Sequence, residues 1–263
     1  MPLVLTSTQE DIGFITLNHE RKKNALSEPL VCEIITALTA FREQRMRAAV
    51  LRAQPGTTVW SAGHDVTELP ESRRDPLEWQ DPLRHLNREI ENFPAPVIAM
   101  IEGTVWGGAC ETAFACDLIV AAPNATFAVT PAKLGVPYNV SGMVTFLNAA
   151  SLRIIKEMAF TAQPMTAERA ERLGMINYVV PIDELESFTV QLARKIAANA
   201  PLSISVMKEQ LRILAGARPM SPQGFERVQG LRRVVYSSED YQEGIRAFKE
   251  KRYKGQCARR RRL

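Results

Sequence analysis

From residue 3 to residue 128, short apolar runs alternate with stretches whose apolar residues recur at helical spacing, and this alternation constrains the fold more than any other feature. Strand–helix repeats of this kind bury their apolar faces best as a parallel sheet whose crossovers are helices. The strands are expected at 3–7 and 12–17, joined by a Glu-Asp turn, and at 48–52, 97–101, 118–122 and 126–128. Ser27 is placed to cap a helix running to about residue 45, with Leu30, Ile34, Ile35, Leu38 and Phe41 on one side. A second helix over 82–92 stops before Pro94 and Pro96, which cannot continue it. Residues 54–69 read as a loop, and 103–109 as a turn entering a helix that carries Glu111.

Beyond residue 140 the pattern changes. Short helices at 152–160 and 167–173 precede a strand at 177–180. Helices then fill 183–199, 202–215, 222–236 and 239–251, with Pro201 well placed at a helix start. The 263 residues therefore divide into an α/β core over 1–200 and a helical region over 201–263.

Several function classes lose ground. The chain has no G-x-x-x-x-G-K-[ST] phosphate loop, no G-x-G-x-x-G fingerprint, no H-E-x-x-H and no G-x-S-x-G elbow. His19, His64 and His85 lack metal-ligand spacing, so no metal site is expected. Cys32, Cys110, Cys116 and Cys257 form no C-x-x-C pair, which points to a reducing compartment. The first residues have no basic start and no long apolar core, and no run approaches a membrane span, so the cytoplasm is expected. The net charge of +4 combines +8 over residues 245–263, from nine Lys or Arg and one Glu, with −4 elsewhere. The Arg259–Arg262 end fits a solvated tail; without aromatic interleaving, nucleic-acid binding is not expected.

Two glycine-rich stretches remain. Ser61-Ala62-Gly63-His64-Asp65 follows a strand, and Val105-Trp106-Gly107-Gly108-Ala109 runs into a helix. A helix start offers amides without intrahelical partners, and glycine lets a ligand approach them. Two such amides converging on one oxygen make an oxyanion hole. By spacing alone, a Gly-Gly before a helix more often reflects close packing than an oxyanion hole.

S-A-G-H-D, then V-W-G-G-A-C-E, then T-P-A-K-L-G, with R-K-K-N-A-L before them, resembles the crotonase (enoyl-CoA hydratase/isomerase) superfamily. The resemblance covers nearly the whole chain. It implies a spiral of ββα units with a helical C-terminal trimerisation region, assembled as a homotrimer or dimer of trimers. It also implies an acyl-CoA substrate and no cofactor beyond the coenzyme A that the substrate carries. On this pattern the backbone amides of His64 and Gly108 hold the thioester oxygen, with Ala62 and Asp65 on the same substrate-binding turn. Arg21 and Lys23 lie where relatives wrap the adenine and pantetheine, and Lys251 where coenzyme A phosphates or ribose are met. Thr130 is placed to bond the acyl group, and Trp106 to wall its pocket. Each also has a plain structural explanation: a strand-end hydroxyl for Thr130, a solvated lysine for Lys251, core packing for Trp106. The His64 imidazole invites reading as a general base, although the family role belongs to its amide.

Hydratases of this family use two glutamates. The first matches Glu111; the second falls on Pro131, which has no acid or base function. With L-G-V-P-Y-N, W-G-G-A and Y-S-S-E-D-Y-Q-E-G, this departure resembles a decarboxylating subgroup. The implied reaction is methylmalonyl-CoA to propionyl-CoA, with Tyr138 holding the departing carboxylate. An ionised Glu111 would repel that carboxylate, so it is expected turned away, neutral, or used to place a water. Hydration, isomerisation or carnitinyl-CoA dehydration is the alternative chemistry, and a non-enzymatic acyl-CoA or RNA binder the alternative class.

Overall fold

A computed structural model describes residues 1–70 and 74–252; Cys257 and the basic Arg259–Arg262 end lie outside the described residues. Strand β1 (Val4–Gln9) forms the expected hairpin with β2 (Ile12–Leu17). Parallel to β2 run β3 (Ala48–Ala53), β5 (Val97–Ile101), β7 (Leu118–Ala121) and β10 (Tyr178–Val179), completing a six-stranded sheet. Every residue of β2 and β5 is buried, as strands covered on both faces must be. Their alternate side chains part into two cores. Ile15, Leu17, Ala49, Leu51, Ala99 and Ile101 face the larger one, while Ile12, Phe14, Val50, Ile98 and Met100 pack against Leu185, Val190 and Ala193 of α7 (Leu185–Ala197).

A second sheet holds β4 (Val59–Ser61), β6 (Thr104–Trp106), β8 (Thr126–Ala128) and β9 (Met165–Thr166). The chain passes from sheet to sheet and then into a helix: β3 to β4 to α2 (Pro82–Asn92), β5 to β6 to α3 (Gly108–Ala115). This is the expected spiral of ββα units. Because β4 and β6 pair in parallel, the segments leaving them emerge side by side.

Some expectations fail locally. Strands β4 and β6 fall where a loop and a turn were expected, and α4 (Val140–Ala149) fills a stretch for which no element was expected. Ser27 occupies the N-cap of α1 (Glu28–Glu43), but its side chain accepts no capping hydrogen bond.

The C-terminal helices α8 (Pro201–Gly216), α9 (Pro222–Tyr236) and α10 (Glu239–Lys249) reach back over the core. Tyr236, Tyr241 and Ile245 pack with Val66, Leu69, Leu77 and Val136. Arg232 grips Asp75 through two bonds of 2.6 and 2.8 Å, and the Tyr241 hydroxyl donates to the Pro70 carbonyl at 2.6 Å. From α8, the Lys208 ammonium donates to the carbonyls of Ile90 and Ala95 and to Asp117 Oδ2, at 3.0, 3.1 and 2.7 Å. Lys208→Met strips a donor from all three and should cost about 2 kcal/mol. Urea denaturation checks this; a loss under about 0.5 kcal/mol would rank the bridge with ordinary surface pairs.

Candidate active site

Strand β4 delivers the Ser61–Asp65 turn, and three hydrogen bonds pin it to the neighbouring segment 23–26. The Ser61 hydroxyl donates to the Asn24 carbonyl at 2.7 Å, the Ala62 amide to Lys23 O at 2.9 Å, and the Leu26 amide to Gly63 O at 2.8 Å. The Ala62 amide is thus spent on the fold. Strand β6 delivers Gly107, whose φ of 56° and ψ of −124° suit only glycine, and its amide donates to Ala128 O at 2.8 Å. Helix α3 begins at the next residue.

The two turns touch backbone to backbone. A Cβ placed on Gly63 (φ 89°) would come within 2.3 Å of the Trp106 carbonyl oxygen and 2.9 Å of the Gly108 nitrogen. One placed on Gly108 would lie 3.3 Å from the His64 nitrogen. Neither the His64 nor the Gly108 amide donates to an acceptor among the described residues. Two adjacent unspent amides, one of them at a helix N-terminus, suit a developing negative charge. The Thr130 hydroxyl borders the same place, 3.1 Å from where a Gly107 Cβ would sit.

Below these turns lies a buried charge pair. Glu111, on the first turn of α3, is 1% exposed and is bound by the guanidinium of Arg84 from α2. Arg84 also donates to the Ser141 hydroxyl, which in turn bonds to Asn139 Oδ1 at 3.1 Å. Burial pushes the Glu111 carboxyl above its ordinary range, and the Arg84 charge pulls the other way. The sequence suggested three states for Glu111: turned away, neutral, or holding a water. Its carboxylate instead has a cation of its own.

Tyr138 approaches the pair from the segment before α4, its ring edge-on to Phe146 at 4.9 Å between centroids. The residue is half-buried, but its hydroxyl is fully buried and has no hydrogen-bond partner among the described residues. That differs from a core tyrosine, whose hydroxyl is usually satisfied. Burial, and then the charge on Glu111, push its phenol well above the ordinary value.

The remaining expected contacts lie further out. Arg21 and Lys23 are exposed on and beside a 3-10 turn, Glu20–Lys22, and Lys251 is exposed just beyond α10. Asp65 is buried and occupied: it pairs with Lys22 at 3.0 Å and accepts from the Thr67 amide and hydroxyl at 3.0 and 2.7 Å. Trp106 stands 43% exposed beside the amides, so it is not a core residue. Among the described residues no cluster of three His, Cys, Asp or Glu suits a metal ion.

Asp81 and Arg84 were missed from sequence. Their signal was there to find: Arg84 and Asn87 sit three residues apart on the buried side of α2, among Leu83, Leu86 and Ile90. A charge on an apolar face needs a partner.

Comparison with known proteins adds to this geometry. The enoyl-CoA hydratase/isomerase family matches residues 7–256. A methylmalonyl-CoA decarboxylase of Escherichia coli (strain K12) is 49% identical over 93% of this chain and 94% of its own. A carnitinyl-CoA dehydratase of Escherichia coli O157:H7 is 33% identical over 90% of this chain and 92% of its own. A solved methylmalonyl-CoA decarboxylase in complex with 2-nitronate-propionyl-CoA superposes with a TM-score of 0.94 at 48% identity, covering 97% of this chain and 99% of that one.

Proposed function

The chain belongs to the enoyl-CoA hydratase/isomerase family, and from that premise we propose that it decarboxylates methylmalonyl-CoA to propionyl-CoA. The observation that carries this reading is the state of the two side chains in the pocket. Glu111 is neutralised by Arg84, and Tyr138 presents a buried, unpartnered hydroxyl. A hydratase needs free carboxylates to activate water. A decarboxylase needs none.

In the proposed reaction the bond between C2 and the carboxylate carbon breaks and CO2 leaves. The bonding pair moves into C1–C2 while the thioester π pair moves onto oxygen, giving an enolate; one proton taken up at C2 then yields propionyl-CoA. The amides of His64 and Gly108 donate to the oxygen as its charge grows, each such donor supplying about 3 kcal/mol. Tyr138 donates to the substrate carboxylate and holds the scissile bond across the thioester plane. Thr130 bonds the acyl group, and Trp106 walls its pocket. Arg21, Lys23 and Lys251 receive the nucleotide end of coenzyme A, which enters only as part of the substrate; Ala62, its amide spent on Lys23 O, and Asp65, its carboxylate engaged by Lys22 and Thr67, shape the turn.

The homotrimer, or dimer of trimers, forms through the apolar side of the C-terminal helices. Helix α8 has no buried residue, yet Leu202, Val206, Leu211 and Leu214 stand exposed on it, as do Leu231 and Val234 on α9. The buried thiols of Cys110 and Cys116, in no disulfide and hydrogen-bonded to backbone carbonyls, support a reducing, cytoplasmic setting.

Incubation with methylmalonyl-CoA should release propionyl-CoA, and turnover no faster than the uncatalysed background ends the reading. Tyr138→Phe should lower kcat at least tenfold, about 1.4 kcal/mol of barrier. An unchanged rate removes Tyr138 from the mechanism. The hydratase alternative is favoured by relatives such as the carnitinyl-CoA dehydratase; water addition to crotonyl-CoA would revive it.

A further inference from the structure

The imidazole of His64 has partners that the backbone role of this residue does not require. Its Nδ1 lies 3.1 Å from the Asp65 carbonyl oxygen, and its Nε2 lies 2.8 Å from Asp81 Oδ2. A carbonyl oxygen can only accept, so Nδ1 carries a hydrogen. A neutral ring would then turn its Nε2 lone pair toward a carboxylate oxygen. Asp81 caps α2, its Oδ1 accepting from the Arg84 amide at 3.3 Å, a place where the helix dipole favours negative charge. A carboxylate opposite Nε2 is satisfied when both ring nitrogens bear hydrogens. The side chains are 13% and 8% exposed, so water screens the pair weakly.

We propose that Asp81 is a positioning residue that keeps His64 as an imidazolium, and that this cation, on the residue whose amide meets the thioester oxygen, favours the enolate. The inference rests on the oxyanion role proposed above. Other charges nearby are already engaged. Lys22 is bound to Asp65 at 3.0 Å, Arg84 of α2 to Glu111 of α3, and the Tyr138 phenol stays protonated; Glu68, in the turn after Asp65, adds to the pull of Asp81. Burial is the largest influence and draws the His64 pKa down, but the hydrogen bond and charge of Asp81, with the Asp65 carbonyl and the Glu68 charge, together outweigh it and leave the ring above its ordinary value. A raised histidine pKa means the cation is present below that value and lost as pH rises through it. Activity should therefore fall on the alkaline side.

Asp81→Asn tests this, because asparagine caps a helix as well as aspartate but brings no charge. With only three histidines in the chain, His19→Gln and His85→Gln assign the His64 signals in an NMR titration of histidine-labelled protein. In the unmutated protein His64 should stay doubly protonated above the ordinary imidazole value of about 6.5. Asp81→Asn should move that titration and the alkaline limb of kcat to lower pH together, with kcat at pH 8 down about tenfold and KM little changed. The proposal is overturned if His64 in the unmutated protein titrates at or below the ordinary value. It is equally overturned if the limb stays in place while the titration moves. The NMR arm reads the ion pair without substrate, so a protein inactive on methylmalonyl-CoA would sink the proposed function and leave this pair separately decided.

Discussion

Gly63→Ala is expected to lower kcat by about 100- to 1,000-fold, the scale of losing an oxyanion donor. The added methyl would stand 2.3 Å from the Trp106 carbonyl oxygen and 2.9 Å from the Gly108 nitrogen, both backbone atoms fixed by β6 and α3. Neither is the tip of a side chain that can swing away. The φ of 89° adds strain for any residue with a Cβ. The turn must therefore move off its neighbour, which separates the two amides proposed to share one oxygen. Gly108→Ala is the milder comparator: it keeps its amide, and its methyl meets Leu83 Cδ2, a flexible end that can yield, at 2.5 Å and the His64 nitrogen at 3.3 Å, so a smaller loss is expected. Steady-state kinetics on both variants, each verified as folded by near-UV circular dichroism, reads the difference. A Gly63→Ala enzyme within tenfold of the parent would mean that the contact between the turns is dispensable.

The second large effect concerns stability. Arg84→Met should cost about 3–5 kcal/mol at neutral pH, because it leaves Glu111 buried without its counter-charge. The penalty should depend on pH in a defined direction. Burial already raises the Glu111 carboxyl in the folded state, and losing Arg84 raises it further, so the folded protein binds a proton more tightly than the unfolded chain does. Stability of the variant is then lost as pH climbs from the unfolded carboxylate value of about 4.3 through the folded one, and recovered on acidification. Arg84→Met with Glu111→Met removes both charges and should regain most of the loss, since an apolar pair of similar volume is often as stable as a buried ion pair. Denaturation midpoints for the two variants across pH decide the matter. Equal penalties in the single and double variants would show that the cost comes from packing and not from the stranded charge.

The large elements were legible because they are long enough to show a period. The hairpin of β1 and β2, the buried strand β5 and helix α2 fall at or near their expected bounds. Strands β4 and β6, of three residues each, are too short for alternation to appear, yet they carry both glycine turns of the candidate site. Helix α4 was hidden by β-branched residues and Gly142, which are weak helix formers; Asn139 capping the Gly142 amide at 2.8 Å was the signal that could have exposed it. Candidate site residues His64, Gly108, Thr130 and Glu111 were named from motif resemblance, and the fold brings them together. What no motif conveyed was pairing. That Glu111 answers to Arg84, and His64 to Asp81, depends on how α2 lies across α3 and the β4 turn, which is a matter of tertiary packing.

Helix α2 has a different fixture at each end. Asp81 and Arg84 hold its first turn to His64 and Glu111, and the Lys208 ammonium of α8 clasps the Ile90 carbonyl near its last. Eleven residues make a stiff rod about 16 Å long. A loosened grip at the far end is thus expected to reach His64 and Glu111 through the rod itself, with no unfolding in between. Since α8 also carries the exposed apolar residues proposed above to seat neighbouring copies, dilution that removes such copies is expected to blunt turnover while the chain keeps its shape.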